Sequence, residues 1–288
     1  MGTMVQTALP DYKGCPDLLN LSNPDAIREI HRRYLDAGAD IITTNTLSSQ
    51  RISMAANGMQ DKIRELNLAG VRIAREVADE YTAMDATKPR FVVASIGPTA
   101  RMASREGRYT YIALRDAYQE QMEALMEGGT DALLIETIFD MENAKAACEA
   151  ARTAMDRLGT KTEIMLSMTV ADNTGKTYSG HTMDDLVCLA DDCDALSVGF
   201  NCSFGAEQIV PLIHELSAKT SRLVSAHPNA GLPDAAGKYS QTPDIFAQHL
   251  SPLIAQRQLS IIGGCCGTTD EHIRQLAQII EMNQTIRH

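Results

Sequence analysis

Apolar positions along the chain fall into two alternating kinds of segment. Short runs of aliphatic and β-branched residues occupy Ala39–Asn45, Arg90–Pro98, Asp131–Thr137, Glu163–Val170, Ala195–Cys202, Arg222–His227 and Leu259–Cys266. Between them lie longer stretches in which apolar residues recur every three or four positions, the period of a helix packed on one face. Runs such as Asp131-Ala-Leu-Leu-Ile-Glu136 are apolar almost throughout. That suits parallel strands buried on both faces, because parallel strands need crossover helices to cover them.

The helical stretches carry their own punctuation. Asn23-Pro24 predicts an N-cap and first helical residue, Ile27, Ile30 and Tyr34 supply the buried stripe, and Gly38 falls where a left-handed residue ends the helix. From Asp61 to Tyr81, Ile63, Leu66, Ile73, Ala74 and Val77 keep the helical period. Thr268-Thr-Asp-Glu271 has the spacing of a capping box ahead of Ile273, Leu276, Ile279 and Ile280. Three strands are introduced alike, by Ala37-Gly-Ala-Asp40, Gly128-Gly-Thr-Asp131 and Asp192-Cys-Asp194. One βα unit reused predicts an α/β fold of the (β/α)₈ TIM-barrel type rather than a doubly wound sheet, although seven strands are one short of eight. Gly and Pro are dispersed and no linker interrupts the pattern, so residues 1–288 are expected to form a single barrel domain.

Composition narrows the function. The 288 residues carry a net charge of −11 with no Lys/Arg-rich stretch, which argues against a nucleic-acid partner. No apolar run approaches the roughly 18 residues of a membrane helix, and the opening residues lack the basic and apolar regions of a signal peptide, so a cytoplasmic protein is expected. Seven cysteines in that setting point to thiols or metal ligands rather than a disulfide framework.

Parallel α/β folds gather chemistry at the C-terminal ends of strands. Four ends are unusual: Glu136-Thr-Ile-Phe-Asp140, Gly199-Phe-Asn-Cys202, His227-Pro-Asn-Ala-Gly231 and Gly263-Gly-Cys-Cys-Gly267. Neighbouring side chains on a regular strand point to opposite faces, so Cys265 and Cys266 could not reach one ion unless the flanking glycines free the backbone. With Cys202 two strands earlier they would form a Cys₃ set suited to Zn²⁺ with one open position. The other reading makes Cys265 and Cys266 small buried residues under a Gly-rich turn and Cys202 core filler. Three thiolates on Zn²⁺ leave a net charge of −1, too electron-rich for hydrolysis but suited to activating a substrate thiol for alkyl transfer. Cys15, Cys148, Cys188 and Cys193 sit at no strand end and read as ordinary thiols.

Taken in order, Met1-Gly-Thr-Met-Val-Gln6, Gly38-Ala-Asp-Ile-Ile42, Thr44-Asn-Thr46, Gly97-Pro-Thr99, Glu136-Thr-Ile-Phe-Asp140, Asn143-Ala-Lys-Ala-Ala147, Phe200-Asn-Cys202, His227-Pro-Asn-Ala-Gly-Leu-Pro233 and Gly263-Gly-Cys-Cys-Gly-Thr-Thr269 resemble the homocysteine-binding module of cobalamin-dependent methionine synthase. The resemblance runs nearly end to end. It implies a (β/α)₈ barrel whose zinc, held by Cys202, Cys265 and Cys266, binds the homocysteine sulfur. It also implies an oxygen ligand to the substrate-free zinc at Asn229 and a carboxylate for the homocysteine ammonium at Glu136. Asn45 and Asn201 are read as supports of the substrate-binding rim, and His227 and His181 as hydrogen-bonded loop residues.

Departures qualify the expectation. The family's apolar strand ending in Asp-Gly would precede Met1, so the barrel is expected to lack most or all of its first strand. Thr43 stands where the family has Glu, and Ala100 where it has Asn. The implied reaction is homocysteine S-methylation to methionine, with methylcobalamin carried on a separate corrinoid-binding domain or protein and a methyltetrahydrofolate-binding partner behind it. Two alternatives remain: a standalone enzyme using a sulfonium or betaine donor, and a truncated, non-catalytic zinc-binding fragment.

Overall fold

A computed structural model describes residues 1–99 and 109–285; Ala100 lies outside the described residues. Seven strands form one sheet: β1 (Ile41–Thr43), β2 (Phe91–Ile96), β3 (Ala132–Ile138), β4 (Glu163–Met168), β5 (Ser197–Gly205), β6 (Leu223–Asn229) and β7 (Ile261–Ile262). They are hydrogen-bonded in chain order, and every neighbouring pair is parallel. Each lies within or across one of the seven apolar runs. β5 and β6 extend beyond expectation, whereas β7 shrinks to two residues because Gly263 and Gly264 follow. The ladder nevertheless continues there, with Gly263 N–H bonded to Ala226 O at 3.0 Å and Cys265 N–H to Pro228 O at 2.8 Å.

The longer helices are α1 (Gly2–Ala8), α2 (Pro24–Asp36), α3 (Ile63–Met84), α4 (Tyr111–Glu127), α5 (Met141–Leu158), α6 (Met183–Asp192), α7 (Ala206–Lys219), α8 (Pro243–Ala255) and α9 (Asp270–Thr285). The Asn23 side chain accepts the Ala26 N–H at the start of α2, and Gly38 just beyond it has φ +97°, as the punctuation predicted. The cap of α9 differs from expectation. Thr269 N–H bonds the His272 ring nitrogen at 3.1 Å, while the Thr268 hydroxyl donates instead to Cys265 O at 2.7 Å. A loop carbonyl competes successfully for the threonine that the capping box would use. Among the described residues, no helix is long and apolar enough to cross a membrane.

Consecutive helices from α2 to α9 pack side by side, and α9 returns against α2. Arg33 and Asp270 form an ion pair at 2.6 Å across that junction. Two apolar layers result. Leu133, Ile135, Leu166, Val198 and Phe200 face outward toward Leu114, Met122, Leu186, Ile209 and Phe246. Each buried side chain of this size contributes roughly 1.5–3 kcal/mol. Inside, Val93, Ala132, Leu134 and Met165 pack with Ile41 of β1 and Ile261 of β7. First and last strands therefore share one inner cluster although they do not pair, so the sheet is curled in the manner of a TIM-like barrel. Near that junction α1 buries Met4 and Val5 against Leu19, Ile27, Ile30 and Ile73.

Side-chain alternation aims the site. Ala132 and Leu134 point inward, so Glu136 on the same face of β3 is carried to the mouth. Ser225, His227 and Asn229 share one face of β6 in the same way.

Candidate metal centre

Cys202 comes from the end of β5, and Cys265 and Cys266 come from the loop after β7. Their Sγ atoms all lie within 4.8 Å of one another, with Cys202 2.6 Å from Cys265 and 3.8 Å from Cys266. Among the described residues no other group of three His, Cys, Asp or Glu side chains converges in this way, and Cys15, Cys148, Cys188 and Cys193 lie outside it.

Local backbone departures bring the sulfurs together. Cys202 and Ser203 have φ of +55° and +56°, and the register of β5 on β6 shifts between Cys202 and Gly205. Non-glycine residues in this region cost about 1–3 kcal/mol each and persist only where the surroundings hold them. Here the Ser203 hydroxyl accepts the Val170 N–H at 2.7 Å and pairs with the Thr169 hydroxyl at 2.8 Å. On the other side, Asn229 Oδ1 accepts the Cys266 N–H at 3.0 Å, and Ala230 N–H bonds Cys266 O at 2.9 Å. The asparagine amide thus replaces the ladder where the cysteine pair turns. Gly267 N–H reaches the Thr3 hydroxyl at 3.3 Å, which ties α1 to the same loop. Gly267 itself has φ +78°, and a Cβ there would fall 2.1 Å from Tyr239 Cγ.

The three thiols behave as one acid–base unit. Hydrogen bonding to Cys265 and Cys266 and burial push Cys202 far above the ordinary thiol range. Hydrogen bonds from Cys202 and Cys265, aided by one from Tyr239, pull Cys266 well below it. The hydrogen bond with Cys202 lowers Cys265, but Cys266 and burial outweigh it and leave that thiol raised to about 12. Three converging sulfurs of which one readily carries charge form a donor set suited to a soft cation, and the half-buried position leaves one side open.

Glu136 stands on the inner face of β3, half-buried, with the Ser95 hydroxyl donating to Oε1 at 2.5 Å. Burial raises its carboxyl above the usual range, the Ser95 bond opposes that, and the nearby Cys266 adds to it. The next residue, Thr137, has φ +59°, where the β3 register on β4 shifts between Ile135 and Ile138. Asn201 holds this turn: its Oδ1 accepts the Thr137 N–H at 2.9 Å and the Ser167 hydroxyl at 2.8 Å, and its Nδ2 donates to Thr137 Oγ1 at 2.9 Å.

The sequence-predicted residues therefore divide. Cys202, Cys265, Cys266 and Asn229 come together, with Glu136 within electrostatic reach. Asn201 is buried and committed to Thr137 and Ser167. Asn45 is buried just after β1 and donates to Pro16 O at 2.8 Å and Asn20 Oδ1 at 3.0 Å. Sequence reasoning missed Ser95, Thr137, Ser167 and Tyr239. Strand alternation from Val93 could have found Ser95; no local pattern marks Tyr239, which arrives from an otherwise exposed loop.

Comparison with known proteins adds an independent line. Residues 1–280 match the profile of the homocysteine S-methyltransferase family. The oxidized form of the homocysteine methyltransferase MmuM from Escherichia coli superposes with a TM-score of 0.79 at 25% identity, over 96% of this chain and 93% of that one. Its metallated form gives the same score and coverage at 24% identity. The 6-hydroxypseudooxynicotine amine oxidase from Pseudomonas geniculata shares the fold at 12% identity with a TM-score of 0.60, over 96% of this chain and 47% of that one.

Proposed function

The chain belongs to the homocysteine S-methyltransferase family and is a methyltransferase of that kind, and from this premise we propose how its own residues carry the reaction. The observation that carries the reading is the convergence of the Cys202, Cys265 and Cys266 sulfurs at the mouth of the curled sheet, on the side where Glu136 emerges.

The three cysteines, as thiolates, would hold Zn²⁺, and the Asn229 amide oxygen, which has a second lone pair beyond its bond to Cys266 N–H, would offer a weak further donor. Bound zinc supplies a soft Lewis acid that lowers the pKa of a substrate thiol at neutral pH and leaves its sulfur nucleophilic. Glu136 accepts the homocysteine ammonium; that ion pair restores a charged partner to a carboxyl that burial otherwise disfavours. Ser95 fixes one carboxylate oxygen and leaves the other for the substrate. Asn45 and Asn201 support the rim behind these groups. The homocysteine thiol gives up its proton to solvent, its sulfur forms a bond to the methyl carbon, the donor–methyl bond breaks with its electron pair left on the donor, and methionine departs.

The donor in this reading is methylcobalamin on a separate corrinoid-binding domain or protein, recharged from a methyltetrahydrofolate-binding partner. A second reading has support of its own, since this chain covers nearly the whole of an Escherichia coli chain described as a homocysteine methyltransferase. In it, a sulfonium or betaine gives the methyl group directly. Methionine formation from homocysteine, assayed separately with methylcobalamin, a methyl sulfonium and glycine betaine, tests both. Turnover with methylcobalamin alone supports the first reading, and turnover only with a sulfonium or betaine supports the second. No methionine with any donor refutes both.

A further inference from the structure

The two ends of the proposed substrate site, the carboxylate on β3 and the thiolates near the end of β5 and beyond β7, are joined through one buried side chain. Asn201 is 1% exposed and immediately precedes Cys202. Its amide reaches across β4 to β3, taking Ser167 Oγ on the way and closing two bonds on Thr137, the residue after Glu136. Thr137 has φ +59°, a conformation that a β-branched residue adopts only under constraint. The amide supplies that constraint on both polar atoms of Thr137 within its reach, the backbone N–H and the side-chain oxygen. Without it, the turn has a lower-energy extended alternative, and Glu136 would move with it.

We propose that Asn201 is a positioning residue: it holds Thr137 in the left-handed turn and thereby fixes Glu136 relative to Cys202, so that one amino thiol is gripped at both ends. The proposal rests on the reading of Glu136 as the ammonium acceptor and of the thiolates as the anchor for substrate sulfur. Asn201 touches no substrate in this arrangement. Its neighbour Cys202 is itself left-handed, so the residue that holds one backbone departure directly precedes another.

The test uses the full zinc-loaded chain, homocysteine, and the analogue of homocysteine that lacks the amino group. Losing the aligned, charge-assisted contact at Glu136 should weaken homocysteine binding to Asn201→Ala by about tenfold or more in calorimetry. Binding of the deamino analogue, and zinc content, should stay at the parent's level. Thr137→Gly removes the need for constraint, because glycine adopts φ near +60° freely. The double variant Asn201→Ala/Thr137→Gly should therefore recover much of the lost homocysteine affinity, an outcome that a purely structural role for Asn201 does not produce. Hydrogen exchange gives a ligand-free readout, with the Thr137 amide exchanging faster in Asn201→Ala. Equal losses for both thiols, unchanged homocysteine binding, or no rescue by glycine would each overturn the proposal. Failure of the parent protein to bind homocysteine would instead overturn the functional reading beneath it, while faster Thr137 exchange in Asn201→Ala would still support the clamp.

Discussion

Gly267→Ala perturbs the loop that carries two of the three sulfurs, and the structure allows its cost to be resolved into parts. The added methyl must sit at φ +78°, which costs an L-residue about 1–2 kcal/mol. It would also fall 2.1 Å from Cγ and 2.5 Å from Cδ2 of Tyr239, so the ring or the loop has to shift, for about another 1–3 kcal/mol of overpacking. Gly237 is the internal control, with φ +77° and nothing within 4 Å of its ideal Cβ. Gly237→Ala therefore meets the backbone term without the collision, and both variants carry the same change in unfolded-chain entropy. Urea unfolding of the metal-free proteins should place Gly267→Ala about 1–3 kcal/mol below Gly237→Ala, the difference isolating the ring contact. Because Cys266 adjoins Gly267, chelator competition should also show weaker zinc binding by Gly267→Ala, about tenfold or more as for altered supporting contacts, and none of that loss in Gly237→Ala. Equal stabilities for the two variants would refute the claim that Tyr239 presses on Gly267.

Three further outcomes follow from the same geometry. Cys202→Ser, Cys265→Ser and Cys266→Ser should each lose zinc, whereas Cys148→Ser, outside the cluster, should keep it; X-ray absorption of the parent should give three sulfur neighbours and one lighter one. Glu136→Gln should weaken homocysteine about 10- to 150-fold by calorimetry with zinc content unchanged, and equal weakening of a thiol lacking the amino group would contradict the ammonium role. Asp17, buried and accepting Ser48 N–H and Ser49 Oγ at 2.8 Å each, has its carboxyl raised by burial to about 6. Its folded form thus binds the proton more tightly than the unfolded chain, so its contribution is full below about pH 4 and is lost as pH rises through about 6. Asp17→Asn, which keeps an acceptor oxygen without the charge, should gain about 2 kcal/mol on the parent between pH 4 and pH 7 in urea unfolding, and parallel pH profiles would show that the shift is absent.

The sheet was legible because burial on both faces leaves an apolar run for every strand, and its alternation also aims Glu136 inward and Asn229 toward the mouth. The cysteine loop was legible for a different reason: adjacent cysteines among glycines can share one site only if the backbone leaves strand geometry, and it does. Boundaries were less so. β7 is two residues long because the glycines that free Cys265 and Cys266 also interrupt regular pairing, even as Gly263 and Cys265 stay bonded to β6. Asn45 had no local mark of its actual partners, Pro16 O and Asn20, since they come from two short helical segments, Pro16–Leu18 and Leu19–Ser22, earlier in the chain.

What single-residue preferences could not foresee is concentrated at the site itself. Left-handed backbone is expected at Gly or Asn, yet Thr137, Cys202 and Ser203 all adopt it. The other described non-glycine residues with positive φ, Asp194 and Arg257, lie just past the ends of α6 and α8, where such a turn is an ordinary way to stop a helix. The three at the site have no such local excuse: one adjoins the carboxylate, one is a cysteine of the converging cluster, and the third follows it. Thr137 is held by Asn201 of β5, and Ser203 by the Val170 N–H and Thr169 hydroxyl just after β4, so the strain at these two is sustained by tertiary contacts that no short window of sequence contains. Departures from local preference at residues adjoining both ends of a substrate site are expected when the fold, rather than the local chain, sets the separation between a carboxylate and a thiolate cluster.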